Sequence, residues 1–116
     1  MKKLFIAFAL LASTVFIASE AKSQSTEKAS IEKLLFSYRD ALNASDANKV
    51  VSLFTTDGVL LANAAPTAEG AVAVKGTYQY VFDNYKYNLD FTIGEIVVQG
   101  KYAFARSTSK GSFVIK

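Results

Sequence analysis

Tyrosine and carboxylate side chains are the groups with which this chain could carry out acid–base chemistry. The sequence contains no His and no Cys. Their absence excludes histidine-dependent nucleophilic catalysis, imidazole zinc ligation and thiolate chemistry. Any proton transfer would therefore use Asp, Glu, Tyr or Lys with a pKa moved by burial. We expect no cofactor and no metal.

Three residues are candidate catalytic groups: Tyr38, Asp90 and Glu95. A buried phenol such as that of Tyr38 can donate a hydrogen bond to negative charge that develops on a substrate oxygen. Tyr38 also falls on an apolar helical stripe, where an aromatic side chain more often belongs to the core. Asp90 and Glu95 would reach a pocket only if their strand turned them inward.

A larger set of side chains could line a binding site. The candidate ligand-binding residues are Tyr38, Phe54, Tyr78, Phe82, Phe91, Tyr102, Phe104 and Arg106. If the helix that carries Tyr78 packs across the sheet, the aromatic members would line a cavity for a small molecule or fill a dry core. Arg106 would bind a ligand carboxylate or phosphate, or pair with an acidic side chain while its stem covers apolar surface.

Three helix patterns precede the strands. The first begins at a cap formed by Ser25 or Thr26 and continues to Asn43, and the second runs from about Ala47 to Phe54 after a cap at Asp46. Apolar residues at helical spacing from Val74 to Tyr85 predict the third. Gly76 inside it costs about 1 kcal/mol relative to Ala, unless packing compensates or something approaches the backbone.

Strand patterns occupy the rest of the chain. Asp57 and Gly58 form a turn that leads into a strand at Val59, and residues 63–70 read as a loop. Period-two alternation predicts a strand from Tyr87 to about Val98. A turn at Gln99-Gly100, a strand from Tyr102, a second turn at Lys110-Gly111 and the start of another strand at Ser112 complete the series.

The first 21 residues read as a cleavable signal peptide. Lys2 and Lys3 precede an apolar run from Leu4 to Ala18, which is short for a bilayer-spanning helix, and Ala21 ends a small-residue cleavage site. We therefore expect an exported, periplasmic or secreted, protein whose residues 22–116 form one domain without a stable membrane anchor. The net charge of +3 is scattered along the chain, so we expect no nucleic-acid partner.

The order of elements and three segments resemble the nuclear transport factor 2-like superfamily, which includes SnoaL-like polyketide cyclases and ketosteroid isomerases. The segments are 38–57 (YRDALNASDANKVVSLFTTD), 66–70 (PTAEG) and 102–109 (YAFARSTS). The resemblance implies an α+β fold, a cone-shaped roll with three N-terminal helices packed on a curved antiparallel sheet. It also implies that the last strands of the sheet are missing, so that the domain is C-terminally incomplete and a homodimer through the sheet would cover its apolar surface.

The aromatic residues and the lack of a recognisable catalytic constellation favour a binding role over the best-known reaction of this superfamily. Tyr38 matches the oxyanion-stabilising tyrosine of the isomerases, but the position of their carboxylate base is Ala62, which cannot move a proton. Ketosteroid isomerase activity is therefore disfavoured. We expect a SnoaL-like domain that binds a small apolar or acidic molecule. The alternatives are an isomerase, lyase or cyclase that uses Tyr38 with a pocket carboxylate, and a dimerising association module without catalysis.

Overall fold

The structure is a computed structural model that describes residues 24–116. The predicted signal peptide, residues 1–21, lies outside the described residues. Helix α1 covers residues 24–43 and is followed by α2 (Ala47–Ser52), β1 (Val59–Leu60), β2 (Ala68–Glu69), α3 (Gly70–Asn84), β3 (Tyr85–Gln99) and β4 (Tyr102–Ile115). Within this part of the chain, no helix has the length and hydropathy needed to cross a bilayer.

The connection between α1 and α2 follows the capping chemistry of the sequence. After α1 ends at residue 43, Ser45 adopts a φ of +56°, and the Asp46 N–H donates to the carbonyl oxygen of Ala41 at 3.1 Å. These features satisfy an orphan carbonyl of the last helical turn. The Asp46 carboxylate then accepts from the N–H of Lys49 at 3.0 Å, which confirms the predicted cap of α2.

Two predicted helix boundaries are wrong. Residue 24 is already helical, so neither Ser25 nor Thr26 caps α1. Helix α2 ends at Ser52 rather than near Phe54, because the N–H of Phe54 turns to the carbonyl of Val51, three residues back. Such a bond tightens the chain and ends the α-helical pattern.

The core lies where the helices meet the inner side of β2 and β3. Its buried members come from α1, α2, β2 and α3: Ala41, Leu42, Ala47, Val50, Ala68, Val74, Tyr78 and Phe82. Partly buried residues of α1 and β3 pack against them, among them Tyr38, Leu89 and Phe91. The fold is thus helices packed on antiparallel sheet, which confirms the predicted α+β class.

Helix α3 presents one buried and one open side. Val74, Tyr78 and Phe82 recur every four residues and are all buried, as expected for one face of an amphipathic helix. Gly76 lies outside this face, and a Cβ added there would meet no atom within 4 Å. Within the described residues, packing therefore gives no reason for glycine at this position.

Strands β3 and β4 form a long antiparallel hairpin, paired from Tyr85 opposite Ile115 to Gln99 opposite Tyr102. The register shifts once, between Ile93 and Glu95, which marks a bulge around Gly94. Before the bulge the odd-numbered residues of β3 face the helices, as the alternating burial of residues 85–93 shows. Beyond the bulge, the residues of β3 that face the helices shift by one position. Glu95 therefore lies opposite Arg106 on the outer face of the hairpin.

The second predicted turn, at Lys110-Gly111, is wrong. Strand β4 runs without interruption from Tyr102 to Ile115. Gly111 is needed in the strand because its φ is +150° and a Cβ there would collide with the carbonyl oxygen of Asn88 on β3. Glycine at this position therefore marks a close approach of the two backbones rather than a turn.

The segment predicted as a loop, residues 63–70, contains a short strand at its end. Ala68 pairs with Leu60 and Glu69 with Val59, so β1 and β2 form a second, two-stranded antiparallel sheet. The N–H of Gly70 extends this contact by donating to the carbonyl of Gly58 at 2.9 Å. The pairing anchors the start of α3 beside β1, which a reading of local turn residues does not reveal.

Candidate functional site

Five of the eight predicted ligand-binding residues meet in one place, the aromatic cluster. It comprises Tyr38 of α1, Phe54 after α2, Tyr78 and Phe82 of α3, and Phe91 of β3. The ring of Tyr78 lies at the centre, with centroids 6.2 Å from Tyr38, 6.2 Å from Phe54 and 5.9 Å from Phe82. Phe91 contacts Tyr38 from the sheet side at 5.9 Å. These separations are those of stabilising aromatic pairs.

The polar feature of the cluster is a pair of phenol hydroxyls. The Oη atoms of Tyr38 and Tyr78 lie 2.5 Å apart and share a hydrogen bond in which either oxygen can donate. The two hydroxyls carry two protons, and the shared bond uses one of them. The second O–H remains free to donate to a further acceptor. Tyr38 is half-buried, so this polar pair is not sealed inside the core.

Burial keeps both phenols protonated. Desolvation is the main cause that raises the pKa of Tyr38 above its ordinary value, although the hydrogen bond from Tyr78 acts in the opposite direction. The pKa of Tyr78 is raised by burial first, and then by the hydrogen bond to Tyr38. A tyrosine ordinarily ionises near pH 10, so the pair is neutral and can donate at neutral pH.

Tyr87 is a member of the site that the sequence analysis missed. It is half-buried on β3, and its proximity raises the pKa of both Tyr38 and Tyr78. The signal was present in the sequence, because Tyr87 has the same strand parity as Phe91 and therefore points to the same face. A third tyrosine therefore lies near the hydroxyl pair of Tyr38 and Tyr78.

The remaining three ligand-binding candidates lie elsewhere. Tyr102 and Phe104 stand on β4 with 83% and 54% of their surface exposed. Arg106 is exposed on the same strand, and its guanidinium donates to the Glu95 carboxylate at 2.9 Å. The structure does not bring these side chains to the aromatic cluster, because they lie on the outer face of the hairpin, beyond its register shift.

The two carboxylate candidates also point away from the hydroxyl pair. Asp90 is exposed and accepts from the Arg39 guanidinium at 2.9 Å and from the N–H of Phe91 at 2.9 Å. These two bonds, the Arg39 bond foremost, hold the pKa of Asp90 below its usual range. A general base that works near neutral pH needs the opposite shift. Glu95 is held on the outer face by Arg106.

The position matching the isomerase base lies outside the cluster as well. Ala62 is exposed in the irregular segment that follows β1. Among residues 24–116 there is also no group of three or more acidic side chains that could hold a metal ion.

Open grooves on the described surface lie away from the aromatic cluster. One of about 600 Å³ separates the start of α1 from the tip of the β3–β4 hairpin, where Ile31, Val98 and Tyr102 line it. Another of about 470 Å³ follows the outer side of α1 around Lys33 and Phe36. Neither groove contains a pair of facing hydroxyls, so the aromatic cluster remains the site with the most distinctive chemistry.

Several solved structures of other proteins have a fold similar to that of this chain. The chain resembles a ketosteroid isomerase-like protein from Erwinia carotovora atroseptica SCRI1043, with 30% identity and a TM-score of 0.69 over 73% of this chain and 66% of that one. A protein from Novosphingobium aromaticivorans DSM 12444, provisionally assigned as a scytalone dehydratase, has 20% identity and a TM-score of 0.63, with 77% and 61% covered. The chain therefore spans less than two thirds of the length of both.

A third structure extends the range of named activities on this fold. An LEH-like epoxide hydrolase from M. tuberculosis matches with 14% identity and a TM-score of 0.51, over 72% of this chain and 59% of that protein. No curated protein matches the sequence. At identities this low, the likeness shows a common fold and leaves the reaction open.

The family itself is shown by the sequence match. Residues 36–115, which run from the middle of α1 to the end of β4, match the SnoaL-like domain. This range contains all five residues of the aromatic cluster, and it confirms the resemblance carried by segments 38–57, 66–70 and 102–109. The chain belongs to the family of SnoaL-like domains.

Proposed function

We propose that this chain is a small-molecule-binding domain that holds an apolar molecule with one oxygen acceptor against the hydroxyls of Tyr38 and Tyr78. The observation that carries the proposal is the shared hydrogen bond of 2.5 Å inside an aromatic cluster. The cluster supplies apolar contact, and the free phenol proton supplies one directed polar contact. Ligand sites commonly combine a hydrophobic lining with a few placed polar groups.

The charges around the site favour an uncharged ligand over an acidic one. Arg106, the residue predicted to bind an acid, is exposed and paired with Glu95. Arg39, on the same helix as Tyr38, is paired with both Asp40 and Asp90. An acidic ligand would have to break such a pair or lose its hydration without a compensating cation. A ketone, ether or alcohol oxygen needs only the donor that the phenol pair provides.

The enzymatic alternative has less support. An isomerase, lyase or cyclase would need a carboxylate beside Tyr38, and the two candidates, Asp90 and Glu95, are each paired with an arginine away from the cluster. The dehydratase and epoxide hydrolase named above show that the fold hosts catalysis in other proteins. The binding function requires only groups that this chain places together.

The test compares two probes that differ by one oxygen, 2-naphthol and naphthalene. We expect the full chain to bind 2-naphthol more tightly in fluorescence titration, because only this probe engages the free phenol proton. In the double variant Tyr38→Phe/Tyr78→Phe, which removes both hydroxyls of the pair, the affinity for 2-naphthol should fall about fivefold, the value of one hydrogen bond, while the affinity for naphthalene is unaffected. Tyr102→Phe makes the same chemical change on an exposed ring and should leave both affinities unchanged.

Two results would contradict the proposal. One is equal affinity for the two probes, since the phenol pair would then play no part. The other is tighter binding of 2-naphthoate than of 2-naphthol, which would indicate an acidic ligand. The second result would direct attention back to Arg39 and Arg106.

A second candidate function, self-association, is favoured by the exposed aromatics of the hairpin. Tyr102 and Phe104 alternate on the outer face of β4 and are largely uncovered. Exposed apolar side chains on one face often mark an association surface. If copies associate there, sizing with light scattering should give a dimer for the wild type and a monomer for Phe104→Ser. A monomer at all concentrations would exclude this function.

Export is part of the proposed role. The apolar run from Leu4 to Ala18 and the small residues ending at Ala21 favour cleavage of a signal peptide. When the gene is expressed in a bacterial host, we expect the product in the periplasm or medium with an intact mass that corresponds to residues 22–116. An uncleaved product retained in the cytoplasm would refute this expectation.

A further inference from the structure

The last residue of α1 pairs with β3 in the way that a neighbouring strand would. The Asn43 side-chain amide donates from Nδ2 to the carbonyl oxygen of Leu89 at 2.8 Å. Its Oδ1 accepts from the N–H of the same residue, Leu89, also at 2.8 Å. One amide side chain therefore satisfies both backbone groups of one strand residue. The two bonds reproduce the reciprocal pair that opposite residues exchange in an antiparallel ladder.

The position of Leu89 explains why its backbone groups are available to Asn43. Leu89 lies opposite Gly111 on β4. In an antiparallel pair, every second residue directs its N–H and C=O away from the partner strand. Since Leu89 is such a residue, its two groups point to the far edge of β3, where α1 ends. A half-buried edge of this kind would carry unsatisfied groups without Asn43.

Two further contacts hold the C-terminal part of α1 against β3. The ammonium of Lys86 donates to the backbone carbonyl oxygen of Asn43 at 2.8 Å, which satisfies a helix-terminal carbonyl and places a cation at the C-terminal end of the helix dipole. One turn earlier, Arg39 reaches Asp90 at 2.9 Å. Both are exposed charged contacts, whereas the pairing of Asn43 with Leu89 is part-buried and directional.

The pairing joins the two elements that carry Tyr38 and Phe91 of the aromatic cluster. Asn43 follows Tyr38 by five residues on α1, and Leu89 precedes Phe91 by two residues on the same face of β3. A shift of α1 along β3 would move the Tyr38 ring relative to Phe91 and its hydroxyl relative to Tyr78. Helices and strands are stiff between such close positions, so the register at Asn43 sets the geometry of the hydroxyl pair.

We propose that Asn43 is a positioning residue that fixes the Tyr38 hydroxyl for its ligand by pairing with the backbone of Leu89. The inference rests on the proposed function for its ligand and on the contacts above for its mechanism. Only a short side chain with one donor and one acceptor can make both bonds. Asp lacks the donor, Ala lacks both groups, and each change therefore leaves backbone groups of Leu89 unpaired.

The experiment measures two properties, and circular dichroism recorded alongside restricts both to the pH range in which each variant remains folded. The first is the ratio of 2-naphthol to naphthalene affinity. The second is the pH at which the buried tyrosines ionise, followed by phenolate absorbance. In Asn43→Ala and Asn43→Asp we expect the ratio to fall about fivefold, because the Tyr38 hydroxyl is displaced, and the ionisation to move to lower pH, because the displaced phenol is less buried. Arg39→Gln removes another contact between α1 and β3 and should change neither property.

The outcomes separate this inference from the proposed function. If wild type binds the two naphthalene probes equally, the proposed function fails, and the tyrosine ionisation still decides the role of Asn43. The inference would be overturned if folded Asn43→Ala kept the wild-type affinity ratio and the wild-type pH of tyrosine ionisation. It would also be overturned if Arg39→Gln changed both properties as much as Asn43→Ala does. If Asn43→Ala does not fold, the same two measurements on Asn43→Asp test the inference, since this variant retains the acceptor for the N–H of Leu89.

Discussion

The aromatic cluster and the outer end of the β3–β4 hairpin contain the same kinds of side chain in opposite environments. Tyr78 and Phe82 are 6% and 2% exposed, whereas Tyr102 and Phe104 project from β4 into solvent. Both sets follow regular apolar spacing in the sequence. The difference is that α1 and α3 cover the inner face of β3, whereas Tyr102 and Phe104 lie on the outer face of the hairpin, beyond its register shift. Periodicity identifies which residues share a face, but a second element decides whether that face is buried.

The largest expected effect comes from truncating one aromatic residue in each region. Phe82→Ala should lower the free energy of unfolding by about 3–5 kcal/mol, because it removes a buried ring and leaves a cavity. Phe104→Ala should change it by no more than about 0.5 kcal/mol, as for other exposed positions. Urea denaturation of both variants measures the contrast. Similar losses would mean that the outer end of β4 is covered in solution.

Alkaline pH should distinguish the two regions through the hydroxyl pair. The pKa of Tyr38 and of Tyr78 is raised on folding, chiefly by burial. Their contribution to stability is therefore present below the unfolded value, near pH 10, and is lost as the pH rises through the folded values. Stability in urea, measured from about pH 8 to pH 11, should fall less steeply in the double variant Tyr38→Phe/Tyr78→Phe than in wild type. Identical slopes would show that the pair is not buried.

The open side of α3 offers a smaller effect of opposite sign. Gly76→Ala should raise the free energy of unfolding by about 1 kcal/mol, since Ala has the higher helix propensity and the space at Gly76 is free. Ala73→Gly, on an exposed position of the same helix, is the matched control and should lower it by a similar amount. Thermal melts measure both. Destabilisation by Gly76→Ala would indicate that another surface approaches this backbone.

The contrast between the regions also shows what the sequence can predict. Local chemistry was sufficient for the end of α1 at residue 43, the Asp46 cap and the period-two strand through Phe91. It was also sufficient to select the five residues that meet in the aromatic cluster, because the apolar spacing along α1, α2, α3 and β3, with Phe54 just after α2, leaves few other faces for burial.

Other features depend on contacts between distant parts of the chain. The sequence signal at Gly111 is the same for a turn and for a strand glycine, and only the approach of Asn88 on β3 distinguishes them. The pairing of Asn43 with Leu89 joins residues 46 positions apart, and an Asn at a helix end has a sufficient local explanation. The exposure of Tyr102 depends on which elements lie over β4. None of these is encoded by spacing alone.

The smallest expected effect concerns the ion pair between Arg39 and Asp90, which precedes Phe91 of the aromatic cluster. The hydrogen bond from Arg39, with the N–H of Phe91, holds the pKa of Asp90 below its usual range. The contribution of the pair to stability is therefore present above the ordinary pKa of Asp, about 4, and is lost as the pH falls through the lower folded value. Because both groups are exposed, salt should also weaken it.

The corresponding experiment compares wild type with Asp90→Asn in urea at about pH 6 and pH 3. Wild type should be slightly more stable at the higher pH, and the difference should shrink at the lower pH or in about 1 M salt. Phe82→Ala, whose effect arises from apolar packing, should show no such salt dependence relative to wild type. A pH-independent difference for Asp90→Asn would show that the charge of Asp90 does not carry the effect. Asn keeps an oxygen that can accept from the N–H of Phe91, so this variant removes the charge and leaves the backbone contact available.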